Sequence, residues 1–318
     1  MIYDLIGDIH GHASELKKLL GILGYVERDG VFYPPSPNRT AVFVGDLIDR
    51  GMENFEVLRI VKSMQEAKTA FCVMGNHEYN ACCYHFKTSE STFLRPHDDK
   101  NKRQHKNTLR EIEGREDIWQ LWLDWFRTLP IWIDTGEIRI IHACWDKKSI
   151  DILENHNIRD DNGRLTDDFF VNSSRKHTKL YDAVEILLKG PEIILPHGLY
   201  FVDKDGNERK EARLKWWRES SLDKKPRYND IIMAEGSNFG DNVVDETLLK
   251  TITHSKEEST LPVFFGHYWL DGSENPACLT QRACCLDYSA AKGGKMVAYT
   301  YSGEKTLKNE NFTWIQCY

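Results

Sequence analysis

The chain contains three short phrases, GDIHG at residues 7–11, GDLIDRG at residues 45–51 and GNHE at residues 75–78. Each follows directly on an apolar run with strand character. Chains place polar side chains at the carboxyl ends of strands when they build a site at one rim of a sheet. Because aspartate, histidine and asparagine recur in that position, the pattern predicts a metal site at the strand ends.

Helical segments separate these strands. Leucines recur at helical spacing between residues 16 and 23, and residues 54–65 have a second apolar face. This alternation predicts a βαβαβ unit over residues 1–78, with crossovers onto a largely parallel sheet. Further along the chain we predict a helix at 117–126, a hairpin at 131–141, a helix at 179–188, a hairpin at 200–217 that turns at Asp205-Gly206, and strands at 262–265, 282–287, 295–301 and 312–316.

Two polar stretches interrupt this pattern, at about residues 84–116 and 145–235. The first is rich in charged and turn-forming residues, and we interpret it as a loop over the mouth of the site. We expect one domain spanning residues 1–318, with both stretches as insertions that cap the site. The helix at 117–126 has Ile118, Leu121, Trp122, Trp125 and Phe126 on one face, and we expect its tryptophans to pack in the core.

The composition is that of an ordinary globular protein. The formal net charge of -7 over 318 residues argues against bulk affinity for nucleic acid. No apolar run approaches the ~20 residues that span a bilayer, and no basic segment precedes the first phrase, so we expect a cytoplasmic protein with no membrane partner. The eight cysteines show no C-x-x-C spacing, and we expect none of them to be a ligand or nucleophile.

The candidate ligands are oxygen and imidazole groups that follow apolar runs. They are Asp8, His10, Asp46, Asn76, His77, His142 and His267. His197 also follows an apolar run and competes with His142 for one place, although Pro196 interrupts that run and favours His142. This mixed set contains more ligands than one tetrahedral zinc ion binds, and it suits two ions that share a carboxylate.

Such a site has a defined chemistry. Two ions can activate a bridging water while they hold a phosphoryl oxygen. Arg50 is suited to meet charge on the equatorial oxygens as a planar bidentate donor. The leaving oxygen needs a proton, and His77, oriented by Asp49, is the candidate general acid.

The three phrases resemble the signature of the calcineurin-like metallophosphoesterases, in the branch that holds Ser/Thr protein phosphatases and symmetrical diadenosine tetraphosphate hydrolases. The resemblance implies an α/β, four-layer fold in which helices flank a sandwich of two mixed β-sheets, with a dimetal site at the strand-end rim. It implies hydrolysis of phosphate ester or anhydride bonds by a metal-bridging hydroxide. The expected metal is manganese, with iron, zinc, nickel, cobalt and magnesium as alternatives.

The resemblance also implies a role for each site residue. Asp8, His10 and Asp46 would hold the first ion, and Asp46, Asn76, His142 and His267 the second. His77 would be the proton donor, Asp49 would hold it, and Arg50 and Asn76 would contact phosphate. Many relatives have Gly-His-x-His near the end, whereas Trp269 stands at the second histidine here, which favours the phosphoprotein-phosphatase branch.

Two basic segments are candidates for substrate selection. Arg95, His97 and Arg103 lie in the first insertion, where the alternative is a solvated loop. Arg213 and Trp216 lie in the second, where a basic side chain beside an indole could bind phosphate and stack on a base. The stretch at residues 195–217 is similar to a segment of PrpE-like diadenosine tetraphosphatases.

The leading hypothesis is a metal-dependent phosphoesterase that acts on a small phosphorylated molecule, such as a dinucleoside polyphosphate. The first alternative is a protein Ser/Thr or Tyr phosphatase acting on a phosphoprotein with the same site. The second is a catalytically silent phosphate-binding module, disfavoured because every expected ligand position is filled. Nucleic acid is not an expected partner.

Overall fold

The computed structural model describes residues 1–88, 92–202, 208–218, 226–234, 239–246, 248 and 261–318. Its strands are β1 Ile2–Ile6, β2 Val26–Arg28, β3 Val31–Tyr33, β4 Arg39–Phe43, β5 Ala70–Cys72, β6 Trp132–Asp134, β7 Arg139–Ile141, β8 Glu192–Ile194, β9 Phe201–Val202, β10 Glu208–Arg209, β11 Glu211–Leu214, β12 Ile232–Met233, β13 Val263–Phe265, β14 Ala283–Cys285, β15 Asp287–Tyr288, β16 Lys295–Tyr301 and β17 Phe312–Gln316. Its α-helices are α1 Ala13–Ile22, α2 Asn54–Glu66, α3 Asn76–His85, α4 Asp99–Ile112, α5 Glu116–Phe126, α6 Lys147–Glu154, α7 Asp167–Ser173, α8 Lys179–Lys189 and α9 Tyr228–Ile231.

Two mixed sheets form the centre of the fold. The first has the strand order β15-β16-β1-β4-β5, with β17 paired to β16. Strands β1, β4 and β5 are parallel, as the βαβαβ pattern predicts, and β16 joins β1 antiparallel. The second has the order β14-β13-β7-β6, in which β13 is parallel to both neighbours and β6 and β7 form the predicted hairpin. The prediction of two mixed sheets is confirmed.

The sheets face each other across a buried apolar layer. Leu5 and Val42 of the first sheet pack in one cluster with Phe264 and Cys284 of the second. On the outer side of the first sheet, alternate residues such as Ile6 and Phe43 belong to the larger cluster that includes the apolar faces of the helices. Period-two alternation therefore gives each strand one face for the partner sheet and one for helices.

The first insertion contains a helix where we predicted a loop. Asp98 accepts a hydrogen bond from the backbone N–H of Asn101 and caps α4. The helix buries one narrow face, formed by Asn101, His105, Thr108 and Ile112. These positions recur at helical spacing, but three of the four residues are polar. A search for an apolar stripe therefore does not detect this helix.

Helix α5 is where the sequence predicted it, with a different buried face. Trp119, Leu123 and Phe126 are buried, whereas Ile118 and Leu121 are 41% and 65% exposed. The predicted face and the observed buried residues of α5 both recur at helical spacing, so periodicity alone did not distinguish them. The tryptophans pack as predicted, since Trp125 is buried and Trp122 packs against the core, whereas Ile118 and Leu121 of the same predicted face remain exposed.

The second insertion pairs its strands differently from the prediction. Strand β9 pairs with β10, and β11 pairs with β8 and β12. The predicted turn at Asp205-Gly206 lies outside the described residues. Strand β11 ends at Leu214, so Trp216 and Trp217 follow it in a turn instead of lying on a strand.

Candidate metal centre

Loops after parallel strands converge at one rim of the first sheet. Asp8 and His10 follow β1, Asp46 follows β4, and Asn76 begins α3 after β5. The backbone N–H of His10 donates to the carbonyl of Asp46 at 2.9 Å, which fixes the first two loops together. Both residues have positive φ, 48° for His10 and 52° for Asp46. Backbone strain of this kind is typical of functional sites.

The first candidate ligand group contains His10, Asp46 and His77, whose ligand atoms lie within 4.8 Å of one another. The Nδ1 atom of His10 donates to the carbonyl of Ile48 at 3.0 Å, which directs Nε2 into the site. That Nε2 atom lies 3.6 Å from an Asp46 oxygen and 4.0 Å from an Asp8 oxygen. The structure thus brings the three residues predicted for the first ion together.

The second group contains Asp46, His142 and His267. His142 donates from Nδ1 to the carbonyl of Val44 at 2.8 Å, and its Nε2 lies 3.3 Å from Asp46 Oδ1 and 3.0 Å from Asn76 Oδ1. The carboxylate of Asp46 therefore lies between the two groups. His197, the alternative to His142, is exposed in a turn after β8.

The side chains fit divalent ions. His10 Nε2 and both ring nitrogens of His267 are buried and have no hydrogen-bond partner among the described residues. An unpartnered buried polar atom is costly, and a bound cation would satisfy it. The donors combine carboxylate, amide and imidazole groups, a set that suits first-row divalent metals.

Burial dominates the electrostatics of the candidate site. Burial raises the pKa of Asp8, and the carboxylates of Asp287 and Asp46 raise it further. Burial and the neighbouring His77 lower the pKa of His10 to about 4. Buried carboxylates that repel one another and neutral imidazoles are the arrangement that a cation would stabilise.

His77 has a carboxylate partner on the side away from the candidate metals. Its Nδ1 atom donates to Asp49 Oδ2, and its Nε2 lies 3.9 Å from an Asp46 oxygen. Burial lowers the pKa of His77, but the carboxylates of Asp46 and Asp49 outweigh it, so the pKa is raised above its ordinary value. The Nε2 atom is within reach of either a metal ion or a leaving group.

Two residues that sequence reasoning did not assign to the site contact Asp49. His105 Nδ1 donates to Asp49 Oδ1 at 2.7 Å, and Thr108 Oγ1 donates to the same oxygen at 2.6 Å. The signal that could have revealed them is the spacing of the buried face of α4, combined with the helix cap at Asp98.

Glu78 connects the loop after β4 to the loop before α3 through hydrogen bonds, instead of facing the candidate metals. Its carboxylate accepts hydrogen bonds from the backbone N–H groups of Asp46, Leu47 and Gly75 at 2.8–2.9 Å. Glu78 lies in the first turn of α3, a position typical of a carboxylate that caps a helix. Glu78 thereby fixes the loop after β4 to the start of α3.

Cationic side chains surround the rim. The Arg50 guanidinium lies 5.6 Å from the ring centre of Trp269, and Lys292 Nζ lies 4.0 Å from the same centre. The Trp269 ring is 5.8 Å from that of His10. The Arg213 guanidinium lies 5.8 Å from the ring centre of Tyr268, the residue after His267, and donates to Glu192 at 3.2 Å. Burial and the charge of Arg213 lower the pKa of His267.

The three predicted substrate-binding residues of the first insertion have different surroundings. The guanidinium of Arg95 donates to Asn80 and Gln104 at 2.9 Å and 2.8 Å. His97 donates to the carbonyl of Tyr84 and stacks on its ring. Arg103 is exposed on the face of α4 opposite His105. Helix α4 thus presents Arg103 to solvent, and its buried face contacts the Asp49 loop.

Trp216 packs in the interior. Its Nε1–H donates to the carbonyl of Ala143 at 2.9 Å, and its ring lies 4.8 Å from that of Phe265. The indole therefore supports the backbone next to His142. The predicted hairpin at 200–217 included Trp216, but the strand has already ended at Leu214.

A sandwich of mixed sheets with mixed oxygen and imidazole donors at its rim defines a metallophosphoesterase. The family model for calcineurin-like phosphoesterases matches residues 3–268, and the chain belongs to this family. Membership of this family implies a dimetal site, for which the two groups that share Asp46 are the candidate ligands.

Curated relatives are named as nucleoside tetraphosphatases. The chain is 47% identical over 77 residues to the asymmetrical bis(5'-nucleosyl)-tetraphosphatase PrpE of Halalkalibacterium halodurans, covering 24% of this chain and 31% of the relative. It is 32% identical over 152 residues to a symmetrical bis(5'-nucleosyl)-tetraphosphatase of Hamiltonella defensa, covering 46% of each chain. The chain thus matches less than half the length of these two relatives.

One solved structure with a similar chain is a protein serine/threonine phosphatase from Saccharomyces cerevisiae. It is 13% identical, with a TM-score of 0.48, over 100% of this chain and 79% of that one. Separately, no helix in the described ranges is long and apolar enough to cross a membrane.

Proposed function

We propose that this chain is a two-metal phosphohydrolase. Asp8, His10 and Asp46 would hold one ion, and Asp46 would share the second with Asn76, His142 and His267. The observation that carries the proposal is the buried Asp46 carboxylate, which lies 3.6 Å from His10 Nε2 on one side and 3.3 Å from His142 Nε2 on the other. When bound, the two ions would activate water and neutralise phosphoryl charge.

Manganese is the metal we expect. Carboxylate and amide oxygens suit Mn²⁺, and imidazole is acceptable to it. Iron, zinc, nickel, cobalt and magnesium are the alternatives, and metal analysis of the protein as purified distinguishes them.

His77 and Asp49 would supply the proton. Asp49 holds the Nδ1 side of the ring, so Nε2 is the nitrogen that faces the site. A proton on Nε2 can pass to the leaving oxygen as its bond to phosphorus breaks. Asp49 would keep the ring in this orientation throughout the step.

Arg50 and Arg213 would bind the phosphoryl group. Arg50 lies beside the first ligand group through its contact with Trp269. Arg213 lies over the ring of Tyr268, the residue after His267, and pairs with Glu192. Guanidinium groups on both sides of the reacting phosphate would stabilise charge on its equatorial oxygens. The amide of Asn76 would add a further contact.

The substrate we propose is a dinucleoside polyphosphate. The names of the relatives support this class, and so does the cationic rim. Lys292 Nζ lies over the ring of Trp269, which would give a third cation for phosphates that do not react. The half-exposed indole of Trp269 is also a surface on which a base could stack. We treat the chain as one domain whose two insertions border this rim.

A substrate panel tests the proposal. The metal-loaded protein is incubated with diadenosine tetraphosphate, phosphoserine and phosphotyrosine peptides, and single-stranded oligonucleotides. Two ADP indicate symmetrical hydrolysis of the tetraphosphate, and ATP with AMP indicates asymmetrical hydrolysis. Either product pair with little peptide turnover supports the proposal. Turnover of peptides alone favours a protein phosphatase, and binding without turnover of any substrate favours the silent module.

A further inference from the structure

The carboxylate of Asp49 is held from two directions. Its Oδ2 atom faces His77, and its Oδ1 atom accepts hydrogen bonds from His105 at 2.7 Å and Thr108 at 2.6 Å. His105 is 5% exposed and Thr108 is fully buried. Every donor to this carboxylate other than His77 therefore comes from α4, within the described residues.

Helix α4 is attached to the loop that carries Asp49 at further points. The Glu111 carboxylate accepts from the backbone N–H groups of Asn54 and Phe55 at 2.7 Å and 2.9 Å. Asn107 donates to the carbonyl of Arg50 at 2.5 Å. Helix α4 thus contacts residues 49–50 and the start of α2 through four polar side chains, which are His105, Asn107, Thr108 and Glu111. These contacts fix the position of the Asp49 carboxylate relative to the helix.

We propose that His105 is a positioning residue for the proton donor and that Thr108 assists it. This inference rests on the proposed role of His77. With both α4 donors on Oδ1, the carboxylate cannot rotate away, and Oδ2 is left to receive Nδ1 of His77. Hydrogen-bonded partners behind a functional side chain fix its orientation and commonly contribute about 10- to 100-fold to activity.

A second contact explains why a histidine is suited to this position. The Nε2 atom of His105 lies 3.4 Å from Nε2 of His85, which is at the end of α3. Helix α3 begins with Asn76 and His77. His105 therefore bridges the two elements whose relative position sets the distance between Asp49 and His77.

The first insertion acquires a role that differs from substrate capture. Its buried face supports the Asp49 carboxylate and Arg103 lies on its exposed face, whereas Arg95 and His97 precede the helix and make hydrogen bonds of their own. Relatives that have a different segment at this place would need another donor for the same oxygen.

The experiment compares two esters that differ in leaving group. Loss of a proton donor slows phenyl phosphate more than 4-nitrophenyl phosphate, because phenoxide is the poorer leaving group. For His105→Ala we expect kcat to fall about 10-fold on 4-nitrophenyl phosphate and about 100-fold on phenyl phosphate, with KM and metal content unchanged. Thr108→Val should show the same selectivity with smaller losses.

Two variants separate positioning from folding. In His105→Asn the amide nitrogen replaces Nδ1 and keeps the donor to Asp49, so it should recover most of the kcat on phenyl phosphate. Asn101→Ala removes a buried polar residue from the same face of α4 without touching Asp49, and it should not change the ratio of the two rates. Equal losses on both esters in His105→Ala, or no recovery in His105→Asn, would overturn the inference.

His77→Asn distinguishes this inference from the proposed function. If His77→Asn shows no extra loss on phenyl phosphate, the role of His77 as proton donor is wrong, and the inference is overturned with it. If His77→Asn shows the extra loss and His105→Ala does not, the inference alone is overturned.

Discussion

A β-carbon on Gly266 would lie 1.9 Å from Oδ1 of Asp8. The absence of a side chain allows the chain after β13 to approach the loop after β1, so that the backbone N–H of His267 donates to Asp8 Oδ2 at 3.1 Å. The glycine therefore sets the spacing between a candidate ligand of the first ion and a candidate ligand of the second.

Gly266→Ala should disrupt the metal centre. Because the new methyl group occupies the position of a buried carboxylate oxygen, Asp8 must move, and we expect loss of bound metal with at least 100-fold lower activity (about the cost of a ~1 Å misplacement). Metal analysis and 4-nitrophenyl phosphate turnover measure this. Gly21→Ala is the matched control, since nothing lies within 4 Å of its added carbon. Full metal content and activity in Gly266→Ala would show that Asp8 is not a ligand.

His77→Asn should separate metal binding from proton transfer. If His77 is a proton donor, the variant keeps both ions and loses about 100- to 10,000-fold in kcat, the usual contribution of general acid catalysis. If His77 is a ligand, as its position near His10 and Asp46 also permits, the variant loses an ion. Metal analysis of the purified variant decides between the two roles.

The strand-end phrases were sufficient to predict the rim and its candidate ligands. Asp8, Asp46 and Asn76 each follow a strand of one parallel unit, so their meeting follows from topology. The support of Asp49 by His105 was not predictable in the same way. It depends on a helix whose buried face contains histidine and threonine, and apolar periodicity does not detect polar residues that are buried because they bind other polar groups.

Arg213 and Lys292 should differ in their effects on two substrates. Because Arg213 lies beside the reacting phosphate in our proposal, Arg213→Ala should lower kcat/KM about 10- to 100-fold on both 4-nitrophenyl phosphate and diadenosine tetraphosphate. Lys292→Ala should raise the KM for the tetraphosphate several-fold (about 1 kcal/mol for an exposed ion pair) and leave the monoester unaffected. Steady-state kinetics on both substrates checks this.

Two exposed lysines provide the control variants. Lys210→Ala is matched to Arg213→Ala in the same insertion, and Lys305→Ala is matched to Lys292→Ala. An equal loss on both substrates in Lys292→Ala would contradict the assignment of Lys292 to phosphates that do not react.

Acid should destabilise the protein through His85. Burial and the nearby His105 and His97 lower the pKa of His85 to about 4. The unfolded chain has the ordinary value of about 6.5 and binds the proton first, so the free energy of unfolding falls as the pH falls from about 6.5 to about 4. The fall should be smaller in His85→Gln, and denaturant titrations across this range measure the difference. Parallel curves for the two proteins would mean that His85 is not held in its neutral form.

The most direct test of the two-metal account is the metal content of the purified protein and of Asp46→Asn. We predict about two divalent ions per chain, activity on 4-nitrophenyl phosphate that chelation abolishes and Mn²⁺ restores, and loss of both ions and activity in Asp46→Asn, because this carboxylate serves both ligand groups. Asp161→Asn, an exposed carboxylate in a turn, should retain both. One ion per chain, activity that survives chelation, or an Asp46→Asn variant that keeps two ions would contradict the account.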